Sequence, residues 1–298
     1  MKLKLSIQKT VDENAAVYFE IAKKAKKKLQ GARKTLEEFN KKQENTSNEE
    51  VEVKSSITKI SREKKLWFEK FKWFISSDGY LVVGARDATT NEILVKKHVV
   101  EGDIIFHTDM AGSPFVIVKK DNSDVKRLVS KEFDYVGSFS EQTIAEAAAF
   151  TFFHSKAWKL GLGSSSVFWV NPDQVTKEAN SGEYMSKGSF MIRGKTNYVD
   201  PYLPFACGII SENFVGENGR FFMAGPLPAV KTLCEHFIEV EQGRDKSSLV
   251  AKSINAFLKE REGLVVDLDT IIASLPSGGS QVKKVRKRKQ DLKSKKKK

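Results

Sequence analysis

Apolar residues fall at Val11, Ala15, Tyr18, Ala22, Ala25, Leu29, Ala32, Leu36 and Phe39, in alternating steps of four and three. That is the a/d repeat of a coiled coil, and it predicts one long helix with a narrow seam. The seam is rich in alanine, so a partner helix must approach closely, and Gly31 costs about 1 kcal/mol against alanine. Lys23, Lys24, Lys26, Lys27, Lys28, Arg33 and Lys34 cover the outer faces. After a polar break at Asn45–Asn48, a second helical stretch carrying Ile57, Ile60 and Trp67 is expected to return against the first. The expectation is a short basic helical hairpin projecting from the body.

From Phe71 the period changes from helical to alternating. Lys72–Ser76 and Tyr80–Ala85 flank Ser77-Asp78-Gly79, and Asp-Gly between alternating runs signals a hairpin. Asn91–Val100 reads as a short helix. Asp103–His107 and Phe115–Lys119 read as strands around the turn Met110–Pro114. Ser140–Leu160 reads as a buried helix, with Ser138 and Glu141 as its capping box and Gly161 and Gly163 ending it. Further strands are expected at Val167–Val170, Ser189–Arg193, Phe205–Ile210 and Arg220–Met223. Further helices are expected at Pro228–Phe237, Lys246–Glu262 and Asp267–Ser274. Pro276-Ser277-Gly278-Gly279 then opens a basic tail.

Charge divides the chain more sharply than its total of +13 suggests. Residues 1–65 hold 17 basic and 10 acidic side chains, and residues 281–298 hold 11 basic and one acidic. The stretch between them carries 23 basic and 27 acidic residues, so the basicity lies in two appendages on a mildly acidic body. Such blocks gain affinity for polyanions by releasing counterions. Two cysteines, Cys207 and Cys234, exclude a disulfide scaffold, and no Cys/His cluster has structural zinc spacing. The longest near-apolar run, Ala147–Phe153, is far short of a membrane span. A soluble protein of a reducing compartment is expected, with no metal and no cofactor.

Two phosphate-loop lookalikes fail. Gly188–Thr196 has one residue too many for a Walker A loop and alternates like a strand. Gly161–Ser166 ends a helix where a dinucleotide fingerprint must follow a strand. Asp103, His107 and Asp109 lie along one strand-turn and make a candidate catalytic grouping, which His98 and His154 join if the fold brings them near, but no nucleophile, base and orienter set accompanies them.

The segment Trp67-Phe68-Glu69-Lys70-Phe71-Lys72-Trp73-Phe74-Ile75-Ser76-Ser77-Asp78-Gly79 resembles the NFACT family, quality-control factors of stalled large ribosomal subunits, also called fibronectin-binding-protein-A-like. The likeness is to the RNA-binding module of the archaeal and eukaryotic branch. Three further stretches agree. Arg86-Asp87-Ala88 with Asn91-Glu92 matches the segment after the hairpin. Gly102–His107 resembles the family's Asp–x–aromatic–x–His signature, with Phe106 where Trp is often found. Gly182–Met185 and Gly188–Gly194 resemble its closing strand pair. Members of the tRNA-recruiting kind begin with a large N-terminal domain, whereas this chain opens in what looks like the stem of the arm. A fragment and a natural short form are both open.

The resemblance implies RNA binding, with Arg86, Asp87, Asp103, Phe106, His107, Gly112, Ser113, Lys177, Glu183, Lys187, Arg193 and Lys195 as site residues. Guanidinium and ammonium groups suit phosphate, and Phe106, Trp67 and Trp73 are candidates to stack bases. Asp103 and Glu183 repel phosphate, so they are expected to orient cations or accept from a base or 2′-hydroxyl. Lys283, Lys284, Arg286, Lys287, Arg288 and Lys289 are expected to make nonspecific phosphate contacts. The resulting expectation is an α+β protein with a mixed β-sheet packed with helices. It runs from a coiled-coil arm (1–65) through an RNA-binding module (66–215) and an α/β extension of the same body (216–280) to a disordered polybasic tail (281–298). The partners implied are tRNA, large-subunit rRNA and further quality-control proteins reached through the arm. The implied role is supporting tRNA recruitment for non-templated tailing in the cytoplasm, with no chemical step. A metal-dependent RNA hydrolase centred on Asp103, His107 and Asp109, and a coiled-coil scaffold, are the alternatives.

Overall fold

The computed structural model describes residues 6, 8, 10–49, 58–59, 66–135, 137–178, 185–216 and 219–283. The chain divides into two compact units, Met1–Ser56 and Ile57–Lys298.

The first unit is built on one helix, α1 (Val11–Glu49). Its start is fixed by a reciprocal cap. Thr10 Oγ1 accepts from the Glu13 N–H at 3.2 Å, and Glu13 Oε2 accepts from the Thr10 N–H at 2.8 Å. Val11, Ala15, Ala22, Ala25 and Leu29 of the seam are all exposed. The expected return helix is not formed at its described positions. Thr58–Lys59 is a short strand, β1, and Trp67 opens a 3-10 turn, Trp67–Lys70. Ile57 and Ile60 lie outside the described residues.

The second unit holds two large antiparallel sheets besides two-stranded pairings. The larger has the order β2 (Lys72–Ile75), β3 (Leu81–Gly84), β5 (Val116–Val118), β4 (Ile104–Thr108), β6 (Val167–Val170), β9 (Asn197–Val199). Helix α2 (Ala88–His98) links β3 to β4, and α3 (Ser123–Leu128) follows β5. The smaller sheet runs β11 (Phe222–Pro226), β10 (Phe205–Ile209), β12 (Phe237–Asp245), β14 (Ser280–Val282). Helices α6 (Leu227–Leu233), α7 (Ser247–Glu262) and α8 (Leu268–Ser274) belong to this half. The only parallel pairing among the described residues joins β1 to β13 (Leu264–Val265) in a two-stranded sheet of its own, and the architecture is the expected α+β one.

Helix α4 (Glu141–His154) lies on strands β3 to β6 and also touches β11. Ala147, Ala148 and Ala149 are fully buried, and their small side chains allow this close approach. The crossing is tight at Gly84, where a Cβ would stand 3.1 Å from both the Phe150 ring and the Val116 side chain. The cap of α4 is Ser140, which accepts from the Thr143 N–H at 3.0 Å, and not Ser138 as the spacing suggests. Ser155 breaks the helix and caps α5 (Lys156–Lys159).

Two elements depart from the sequence reading. The stretch from Phe237 forms the nine-residue strand β12, and Ser280–Val282 pairs with it as β14. Gln281 and Val282 are thus sheet residues where a disordered tail was expected. The backbone of Lys283 donates to Glu239 O at 3.0 Å.

Candidate nucleic-acid interface

The most irregular part of the second unit is an excursion between β6 and β9. It begins with the 3-10 turn Pro172–Gln174 and contains a two-residue ladder, β7 (Val175–Thr176) against β8 (Met191–Ile192). Gln174 closes its base. Its Oε1 accepts from the Asn171 N–H at 3.0 Å, and its Nε2 donates to the carbonyls of Arg193 and Lys195, both at 2.9 Å. Gly194 between them has φ +83, a conformation that side-chain-bearing residues rarely adopt. The side chains of Arg193 and Lys195 are exposed on this clamped turn.

The middle of the excursion docks on the start of α2. Gly188 (φ +80) approaches so closely that a Cβ would lie 2.5 Å from the Ala88 carbonyl oxygen. Its N–H donates to Glu92 Oε2 at 3.3 Å, and its carbonyl accepts from Asn91 Nδ2 at 3.5 Å. The other end of the Asn91 amide accepts from the Phe115 N–H at 2.9 Å, so one buried side chain ties helix, strand and loop together. Lys177 Nζ donates to the carbonyls of Ser186 (3.2 Å) and Ser189 (2.8 Å), lies 4.9 Å from the Phe190 ring centre and is 3.9 Å from Glu92. Lys177 therefore shapes the loop. Lys187 is exposed at its tip, and it helps hold the Asp87 carboxyl below its usual range. The larger cause of that shift is the Thr90 N–H, which Asp87 caps at 2.8 Å as the first residue before α2.

Arg86 is exposed, yet its Nη2 donates to the carbonyls of Phe71 (2.9 Å) and Glu69 (3.3 Å), and partial burial lowers its pKa. Part of this guanidinium is committed to backbone.

Residues 70–194 match the family described as the NFACT protein RNA binding domain. This stretch is an NFACT RNA-binding domain. The archaeal Rqc2 homolog aRqcH of Methanocaldococcus jannaschii is 35% identical over 229 residues, 76% of this chain and 30% of that protein. The human ribosome quality control complex subunit NEMF is 35% identical over 189 residues, 63% of this chain and 16% of that protein. The chain thus spans less than a third of either relative. The C-terminal part of the fibronectin/fibrinogen-binding protein of Streptococcus suis covers 65% of this chain and 77% of that chain, at 19% identity and a TM-score of 0.34.

Within the NFACT domain, three residues expected to touch RNA, Phe106, Asp103 and Ser113, are turned inward. Phe106 is fully buried, because β4 is a central strand covered on both faces, and it offers no ring to a base. Asp103 is 1% exposed and is committed three times. It accepts from Lys119 Nζ at 2.5 Å, from the Lys120 N–H at 2.8 Å and from the Val100 N–H at 3.0 Å. It fastens the turn between α2 and β4.

His107 is half-buried against Phe115, with Nε2 3.1 Å from the Ser113 carbonyl, and burial pushes its pKa below the ordinary imidazole value. Ser113 is buried and accepts from Thr108 Oγ1 at 2.6 Å, while Gly112 beside it is exposed. Trp67 already stacks, on His98 at 4.0 Å, and donates to Asp124 at 2.7 Å. Trp73 packs edge-on against Phe68 and Phe221. Glu183 lies outside the described residues.

Gln174 and Asn91 were not anticipated as supports. Asn171-Pro172 followed by Gln174 at the third helical position was a usable cap signature. Asn91 carried no such local signal.

Proposed function

We propose that this chain binds structured RNA through the excursion of its NFACT domain, as part of ribosome-associated quality control. The observation that carries this reading is that Lys187, Arg193 and Lys195 are exposed on one excursion whose backbone is fixed at base and tip by Gln174 and α2. Three ammonium or guanidinium groups on a fixed backbone suit a phosphate backbone of defined shape better than a free tail does. The names of the relatives supply the biological setting. Transfer RNA and large-subunit rRNA are the RNAs we propose, with the chain supporting tRNA recruitment for non-templated tailing in the cytoplasm. Peptidyl transfer is then the ribosome's chemistry, and this chain performs no chemical step.

The alternative of a hydrolase centred on Asp103, His107 and Asp109 loses its support. Asp103 is spent on Lys119, and Asp109 Oδ1 accepts from the Tyr198 hydroxyl at 3.2 Å. Among the described residues, no three His, Cys, Asp or Glu side chains gather as a metal would require.

Lys283 joins Glu239 at 2.7 Å, so its phosphate role needs that pair opened. The proposed nonspecific contacts fall to Lys284, Arg286, Lys287, Arg288 and Lys289, which lie outside the described residues. Binding of deacylated tRNA and of large-subunit rRNA fragments, measured across a salt series, tests the whole reading. Truncation after Lys283 is expected to flatten the log–log slope by about 0.9 for each phosphate the tail had neutralised. An unchanged slope removes the tail from the mechanism. Absence of RNA binding by the intact chain overturns the proposal.

A further inference from the structure

On the smaller sheet the surface changes character. A cavity of about 210 Å³ opens where β12 meets the segment Pro201–Phe205 and helices α4 and α5. Phe152, Phe153, Trp158 and Phe205 form its apolar wall, and Pro201 and Pro204 stiffen one lip. Small-molecule sites run to about 300–1,000 Å³, so this one fits a single large side chain better than a cofactor. The indole of Trp158 is buried with Nε1 lacking an acceptor among the described residues, which leaves the wall short of a hydrogen bond.

Around the opening stand apolar side chains that the fold does not cover. Tyr202 is 87% exposed and belongs to the lining itself. Leu160 and Leu162 are also exposed, on the turn whose Leu162 carbonyl accepts from Gln242 of the same lining at 2.8 Å. Aromatic anchors beside a pocket are the anatomy of a protein-binding hot spot.

The rim decides the class of occupant. Glu239, Glu241 and Lys283 line it, and Glu241, whose Oε1 accepts from Gln281 Nε2 at 2.7 Å, is the lining carboxylate that no cation among the described residues neutralises. Lys283 already rests its ammonium on Glu239, which shows in this same chain how a lysine meets the rim.

We propose that this pocket docks a segment of a partner protein, an aromatic or large aliphatic side chain flanked by lysine or arginine. The apolar side chain fills the space between Phe153, Trp158 and Phe205, and the flanking cation pairs with Glu241. This goes beyond RNA binding and does not depend on it, since no residue lining this pocket belongs to the excursion.

Selection of random twelve-residue peptides displayed on phage against the full chain tests the proposal. Enriched peptides are expected to carry one aromatic, Leu, Ile or Met beside Lys or Arg. Synthesised and titrated, they are expected to bind Tyr202→Ala and Glu241→Arg about tenfold more weakly than the unchanged chain, a hot-spot loss. Both positions are exposed, so both variants keep the fold, and their retention of RNA is expected to be unchanged. A selection without enrichment, peptides indifferent to both substitutions, or tRNA displacing the peptide each overturns the assignment.

Discussion

Two charged clusters of the NFACT domain contain the same kinds of residue and do opposite work. At Asp103 the carboxylate is buried and spends its lone pairs on Lys119 and two backbone N–H groups, and Lys119 also donates to the His98 carbonyl at 2.7 Å. On the excursion, hydrogen bonding is equally dense but falls on backbone carbonyls, through Gln174 and Lys177. This leaves Lys187, Arg193 and Lys195 exposed. A cation becomes available for a partner when something else fixes the chain that carries it. Motif membership alone does not distinguish the two cases.

A third buried charge gives the sharpest test. Lys72 Nζ lies 2.9 Å from His154 Nδ1 and 2.7 Å from the Leu275 carbonyl, and burial, then Arg86, lowers its pKa to about 7. The unfolded chain holds this proton up to about pH 10.5, while the folded chain releases it near 7. Between those values the unfolded state binds more protons, so stability rises with pH, by on the order of 5 kcal/mol across the window. Below pH 7 the penalty is full and constant. Denaturant unfolding between pH 7 and 10 is expected to show this rise and to lose it in Lys72→Met. An equal rise in both proteins refutes it.

Next in size, Asp103→Ala strands a buried ammonium and is expected to cost about 4 kcal/mol in unfolding free energy. The RNA affinity of the fraction that stays folded is expected to be unchanged, and a selective loss of affinity would return Asp103 to the interface. The triple variant Lys187→Ala/Arg193→Ala/Lys195→Ala is the mirror experiment. Its stability is expected to stay within about 0.5 kcal/mol, while the salt slope of RNA binding falls by about 2–3. The smallest effect belongs to Gln174→Ala. Removing its hydrogen bonds is expected to cost about 1 kcal/mol and to weaken RNA binding less than the triple variant does.

What the sequence revealed depends on how local each determinant is. The Ser77-Asp78-Gly79 hairpin, α4 and α7 were legible because their signals lie within one turn or one period of the element. Of strand β12 only Phe237 falls in an expected element, the end of a helix, and Gln281 and Val282 of β14 fall in the expected tail, because the two strands pair across about forty residues that no window joins. The resemblance marks Phe106 as a stacking ring by residue type alone, whereas its burial depends on the strands on either side of β4. Arg86 was recognisable as a cation, but its attachment to the Phe71 carbonyl depends on how the 3-10 turn packs. Residue type could be read from the sequence, whereas exposure could not.

The double grip of Gln174 has a consequence for how this domain can vary. It staples the first turn of the excursion to the last, so the intervening segment is a closed loop whose two ends are already joined. Doubling the length of such a loop costs only about 0.6 kcal/mol. Insertions between residues 178 and 185 should therefore leave the spacing of Arg193 and Lys195 as it is, so that loop length can change without resetting the clamped turn that carries these two cations.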